Sequence, residues 1–171
     1  MIKIIGAVMV IAGTALCGYI SVGKMKRRVK CLNSIAASLS LMESEITDRL
    51  TPMPELLERL SDDAFYPASL LYARTAENLE KLGEIAFSEI WGEAVDAESA
   101  LILSPEEREI LRRLGMSLGK YSAYEQKKAI EYARRKIEDA AERADAEREK
   151  NSRVQTALGL AAGVFTVIIF I

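Results

Sequence analysis

The chain has 171 residues, half of them hydrophobic, with 23 basic and 25 acidic side chains and no histidine. The missing imidazole removes the commonest general base and metal ligand at neutral pH, and two cysteines, Cys17 and Cys31, supply neither a disulfide framework nor a metal site. Six basic residues and no acidic one precede Cys31, while all 25 acidic residues fall between Glu43 and Glu149, leaving an acidic middle with an apolar run at each end.

Residues 4–23, IIGAVMVIAGTALCGYISVG, form an uncharged run of 20, the length a helix needs to cross a hydrocarbon layer about 30 Å thick. A cleaved signal has a shorter apolar stretch with basic residues ahead of it; here the basic cluster follows. TALC has the look of a lipoprotein acceptor site, but Leu16 stands where a small residue is wanted. A retained anchor is the better reading. Lys24, Lys26, Arg27, Arg28 and Lys30 come next. Lys and Arg accumulate on the cytoplasmic face, where each contributes on the order of 1 kcal/mol against anionic lipid headgroups.

Past this cluster the apolar positions take a helical period and no segment alternates as a strand would. Leu32, Ile35, Leu39, Met42 and Ile46 follow a 3-4-3-4 spacing, a heptad-like seam, with Glu45 and Arg49 paired on the outer side. TPMPELLERL then restarts a helix, Thr51 as its cap and Pro52 and Pro54 in its first turn. Pro67 opens a helix carrying Leu70, Leu71, Leu79 and Leu82, broken at Gly83. The next piece turns Phe87, Ile90, Trp91, Ala94 and Val95 inward. In SPEEREILRRLGMSL, Ser104, Pro105 and Glu107 make a capping box ahead of a Leu111, Leu114, Leu118 stripe. Ser122 and Glu125 form a second box. From there one proline-free helix runs to the C-terminus, about 73 Å at 1.5 Å per residue. Its seam is Ile130, Ala133, Ile137, Ala140 and Ala144.

The last 18 residues, 154–171, are again uncharged, just long enough to span. Arg148, Lys150 and Arg153 precede them, so both flanks place the middle of the chain in the cytoplasm. The expected organisation is all-α: an N-terminal transmembrane helix over 1–24, an antiparallel bundle of about six helices over 25–153, and a C-terminal transmembrane helix over 154–171.

GMSLGKYS, residues 115–122, approaches the phosphate-binding pattern G-x-x-x-x-G-K-[S/T]. It has three residues between its glycines instead of four, a leucine-striped helix before it instead of a strand, and Tyr121 where a hydroxyl for magnesium belongs. Gly119 reads instead as the left-handed residue that stops a helix. No catalytic constellation and no cofactor site appear elsewhere, so the chain reads as non-enzymatic, and its acidic middle argues against nucleic acid as a partner.

LMESEI with TPMPELLERL, PASLLYARTAENL, FSEIWGEAV, ILRRLGMSLGKYSAYEQKKAI and KNSRVQTALGLAAGVFTVIIFI together resemble, in order and over nearly the whole chain, the stage III sporulation protein AB family of spore-forming bacteria. That resemblance implies a two-pass membrane component of the secretion-like channel complex joining mother cell and forespore, with its central domain in the mother-cell cytoplasm. The cytoplasmic helices are in turn similar to the inner-membrane platform protein, the F component, of type II secretion and type IV pilus systems. By that likeness the bundle docks a secretion-type ATPase, the companion stage III sporulation protein AA, and the membrane helices meet other subunits of the channel; a homo-oligomer is compatible with this arrangement. Candidate contact residues are Glu43, Thr51, Pro52, Pro54, Glu55, Trp91 and Gln126, with Lys24, Lys26, Arg27, Arg28 and Lys30 for lipid headgroups. Ala123 departs from the family, which usually carries an aspartate there. A membrane-tethered signalling or sensing protein is the alternative reading.

Overall fold

The structure, a computed structural model, describes the side chains of residues 22–119, 122–154 and 157, and the helical backbone also over 2–21 and 155–170. Among the described residues there are six α-helices, one 3₁₀ turn and no strand: α1 (Ile2–Thr47), α2 (Met53–Asp63), α3 (Ala68–Glu77), the turn Leu79–Lys81, α4 (Phe87–Ala97), α5 (Pro105–Ser117) and α6 (Ala123–Phe170). The all-α expectation holds. Among the residues whose side chains are described, no helix is long and apolar enough to cross a membrane. The two apolar runs expected to do so, 4–23 and 154–171, lie almost wholly outside them.

The chain forms two compact units, one of Arg28–Ala141 and one of Met1–Arg27 with Glu142–Ile171. The first unit holds the core. Every member of the α1 seam is buried, from Leu32 to Ile46, and so is every member of the α6 seam from Ile130 to Ala140. A stripe at i, i+3, i+7 needs one face covered, and burying each large side chain is worth roughly 1.5–3 kcal/mol. Glu43 links α1 to α6 through Lys127 at 3.6 Å and Arg134 at 3.8 Å. Ser38 on α1 shares a 2.8 Å hydrogen bond with the Tyr72 hydroxyl on α3. In the second unit Asn151 Nδ2 donates to Met25 Sδ at 3.4 Å, and Arg148 pairs with Asp145 at 2.9 Å.

α4 and α5 are joined around the one tryptophan. Trp91 is fully buried, its Nε1–H donates to the Leu111 carbonyl at 2.7 Å, and its ring lies 5.9 Å from Tyr72 and 6.3 Å from Phe87. The indole needs room on the facing helix, and Gly115 supplies it: a Cβ there would fall 2.3 Å from Trp91 Cδ1. The capping box at Ser104 forms as expected, Glu107 N–H to Ser104 Oγ at 3.3 Å and Ser104 N–H to Glu107 Oε2 at 2.7 Å. At the start of α6, Glu125 N–H reaches Ser122 Oγ at 3.4 Å.

Three local expectations change. Thr51 does not cap α2: the cap position is Pro52, without a side-chain bond, and Pro54 lies in the first turn. The Thr51 hydroxyl instead donates back to Glu45 Oε2 at 2.7 Å; as a cap it would accept from the second or third helical N–H, and Pro54, in that third place, has none. Glu45 is correspondingly drawn in from the outer face, holding Arg49 at 2.7 Å as well. The helix opened by Pro67 ends at Glu77, so Leu79 begins the 3₁₀ turn and Leu82 is exposed. Gly83, at φ +112°, therefore does not make the break expected of it; it lies beyond the 3₁₀ turn, in the stretch before α4.

Gly115→Ala is expected to lower unfolding stability by about 1–3 kcal/mol, as overpacking does, whereas Gly92→Ala, with nothing within 4 Å, leaves it unchanged or slightly raised; urea denaturation followed by tryptophan fluorescence compares the two. Burial also pushes the Tyr72 phenol above its ordinary value of 10.0, the Ser38 bond opposing in part. The neutral phenol is then the form the fold favours, so this contribution is intact below pH 10 and is lost above it, once the unfolded chain ionises more readily. Stability measured between pH 9 and 11 is expected to fall less steeply in Tyr72→Phe than in the parent.

Candidate functional site

The turn between α1 and α2 is built from an unusual backbone. Leu50 sits at φ +53°, a left-handed conformation that costs a side-chain-bearing residue roughly 1–2 kcal/mol, and it exposes 70% of its surface. What holds it is the clamp beneath: Thr51 N–H to the Glu45 carbonyl at 3.0 Å, the Thr51 hydroxyl to the Glu45 carboxylate, and Arg59 of α2 approaching that carboxylate at 3.9 Å. Pro52, Pro54 and Glu55 stand exposed beside Leu50, with Glu55 turned to Arg59 at 2.9 Å. The result is a braced tip carrying one leucine, two prolines and a carboxylate. Leu50 escaped the sequence reading because leucine has no preference for this backbone; a glycine or asparagine there would have signalled it.

The remaining candidate residues divide by burial. Glu43 is half-buried between Lys127 and Arg134, and its carbonyl accepts from the Thr47 hydroxyl at 2.8 Å; it ties helices together. Trp91 belongs to the core and offers no surface. Thr51 is half-buried within the clamp, and Gln126 is half-buried, its Oε1 accepting from Gly119 N–H at 3.4 Å. Of the basic cluster, Lys24, Lys26, Arg27 and Lys30 are exposed. Arg28 turns inward: it pairs with buried Glu107 at 2.6 Å and donates to the Ile102 carbonyl at 3.2 Å, so its charge is engaged at the start of α5. The capping box made Glu107 visible in the sequence, but its second partner on a distant helix was not.

The GMSLGKYS stretch builds no phosphate cradle among the described residues. Gly115 lies inside α5 against Trp91, and Gly119 takes φ +76° just after the helix, the stop expected of it; Lys120 and Tyr121 lie outside the described residues. Several of the described acidic side chains end in ion pairs along or between helices, such as Arg113–Glu109 at 2.8 Å and Arg74–Glu98 at 3.4 Å. Cys31 is free and buried, and burial pushes its thiol up from the ordinary value, which makes it a poor nucleophile.

These features define an all-helical protein whose charges tie helices to one another and whose exposed chemistry lies at turns and helix faces. The family model described as stage III sporulation protein AB matches residues 3–171, and the chain belongs to that family. Stage III sporulation protein AB of Bacillus subtilis (strain 168) is 25% identical over 170 residues, 99% of each chain. A solved structure described as stage III sporulation protein AB (SpoIIIAB) shares the fold at a TM-score of 0.65, with 23% identity, covering 72% of this chain and 98% of that one. The chain's role is therefore in sporulation.

Glu107→Gln is expected to destabilise the fold by about 1–3 kcal/mol, since it removes a buried carboxylate shared by Arg28 and the Ser104 amide. Arg28→Met, which removes the ion pair and the bond to the Ile102 carbonyl but keeps the box, is expected to cost less; thermal unfolding of both variants checks the order.

Proposed function

We propose that the protein is a non-enzymatic platform subunit of the secretion-like channel complex formed between mother cell and forespore, held in the cell membrane at both ends and docking a cytoplasmic secretion-type ATPase. Membership of the sporulation family supports the setting. The observation that carries the docking is the α1–α2 tip, where an exposed leucine is kept in a left-handed backbone by a dedicated carboxylate clamp. Strained, exposed apolar residues concentrate where a partner binds, and a small braced patch is the kind of surface on which a few residues dominate binding. The partner is the companion stage III sporulation protein AA, with Leu50, Pro52, Pro54 and Glu55 as the contact residues.

The membrane side of this reading rests on the apolar runs 4–23 and 154–171 and on Lys24, Lys26, Arg27 and Lys30. The exposed lysines and arginine meet anionic headgroups and the middle of the chain faces the mother-cell cytoplasm. Other membrane subunits of the channel meet the spanning helices.

Leu50→Asn keeps a residue that tolerates the left-handed backbone while removing the apolar contact. With the full chain in detergent and the purified ATPase, Leu50→Asn and Glu55→Arg are each expected to weaken retention by about tenfold or more, with unchanged helix content by circular dichroism. Failure of the parent to retain the ATPase, or equal retention by both variants, contradicts the reading.

A further inference from the structure

Two patches in the Arg28–Ala141 unit carry exposed aromatic rings beside charges that their own fold leaves without an ion-pair partner among the described residues. The first is the α2–α3 turn. Phe65 and Tyr66 are 69% and 61% exposed. Asp62 and Asp63, also exposed, fill the last turn of α2 with no basic residue there. Carboxylates at a helix C-terminus oppose the helix dipole, so local stability does not account for them. The second is the outer face of α6, where Tyr124 and Tyr132 are 64% and 59% exposed. Lys128 lies 4.4 Å from the Tyr124 ring centre and Lys136 5.9 Å from that of Tyr132. The neighbouring Glu131 is already taken by Lys127 at 4.0 Å and Arg135 at 3.9 Å.

We propose that these two patches are the halves of one contact between copies of this chain, the Asp62–Asp63–Phe65–Tyr66 turn of one copy seated on the Tyr124–Lys128–Tyr132–Lys136 face of the next. The complementarity is twofold, aspartates to lysines and rings to rings. Aromatic pairs favour offset or tilted packing beyond the area they bury. Four such rings, each able to bury about 150–250 Å², supply a large share of the roughly 1,200–2,000 Å² of a specific interface.

Placement within the unit explains why the contact joins different copies. α3 reaches α1 at Ser38 and α6 reaches it at Glu43. Five residues apart on a helix means about 140° around its axis and about 7.5 Å along it. α3, with the turn that leads into it, and α6 therefore meet α1 on well-separated flanks. A turn on one flank cannot fold onto a face on the other, but neighbours standing side by side bring them together. Because the two halves differ, the contact is head-to-tail, which propagates into a ring or an open array and does not close as a two-fold dimer. An array of this kind deepens the platform reading but does not depend on the ATPase.

Single-cysteine probes test it on the full chain in detergent micelles or reconstituted membranes. Copies carrying Phe65→Cys are mixed with copies carrying Tyr132→Cys and joined with a short thiol crosslinker, the parent giving the background from its own cysteines. A mixed 65–132 product well above that of either variant alone is expected. Charge reversal supplies the second arm: Asp62→Lys with Asp63→Lys, or Lys128→Glu with Lys136→Glu, is expected to weaken self-association in sedimentation equilibrium by about tenfold or more. Mixing the two reversed proteins restores it. A monomer at all concentrations in both environments, a dominant 65–65 or 132–132 product, or no rescue on mixing overturns the proposal. Retained binding of the ATPase by a charge-reversed monomer separates the failure of this contact from failure of the docking tip.

Discussion

Burial of the apolar stripe on α1 is the constraint on which the rest of the molecule depends. Leu32, Ile35, Leu39, Met42 and Ile46 form the longest buried line in the Arg28–Ala141 unit. Three other helices attach to α1 at specific rungs: α5 at Arg28 through Glu107, α3 at Ser38 through Tyr72, α6 at Glu43 through Lys127 and Arg134. Each polar contact is modest in net energy. Their value is positional, since a stripe of leucines can slide by a turn at small cost while a carboxylate set between two cations cannot.

The same economy explains what the charged residues do. A helical protein this rich in Glu and Arg invites a search for acid–base pairs or metal sites, yet the partially buried carboxylates Glu43, Glu45, Glu98 and Glu107 each meet an arginine of the fold. With their charges committed in this way, the surface chemistry passes to exposed leucine, proline, phenylalanine and tyrosine at turns and on α6. Such a surface suits the proposed role in contact between proteins, within the sporulation family to which the chain belongs.

Much of this was legible in the sequence because helical periodicity is a local property. The α1 and α6 seams, the Ser104 box, the inward face of α4 and the stop at Gly119 all follow from spacing and capping within a few residues. What was hidden was non-local. Thr51 has the look of a cap, but Pro54, three residues on, has no N–H to offer it, and its hydroxyl turns to Glu45. Arg28 reads as one of five headgroup cations until Glu107 is found beside it. Trp91 reads as a contact residue until Gly115 is seen to make room for it in the core. Leu82 keeps the helical spacing of α3, but the chain has already tightened into a 3₁₀ turn. Leu50, whose left-handed backbone shapes the α1–α2 turn, carries no sequence signal at all.

The central claim is that a folded helical unit is fixed to the membrane at both of its ends and works by contact. Labelling of single cysteines by a membrane-impermeant thiol reagent in intact protoplasts tests it most directly, with probes at positions 2, 65 and 170. The account predicts that 2 and 170 react from outside the cell while 65 reacts only after permeabilisation. Reaction of all three only after permeabilisation, together with recovery of the chain in the soluble fraction, would contradict it.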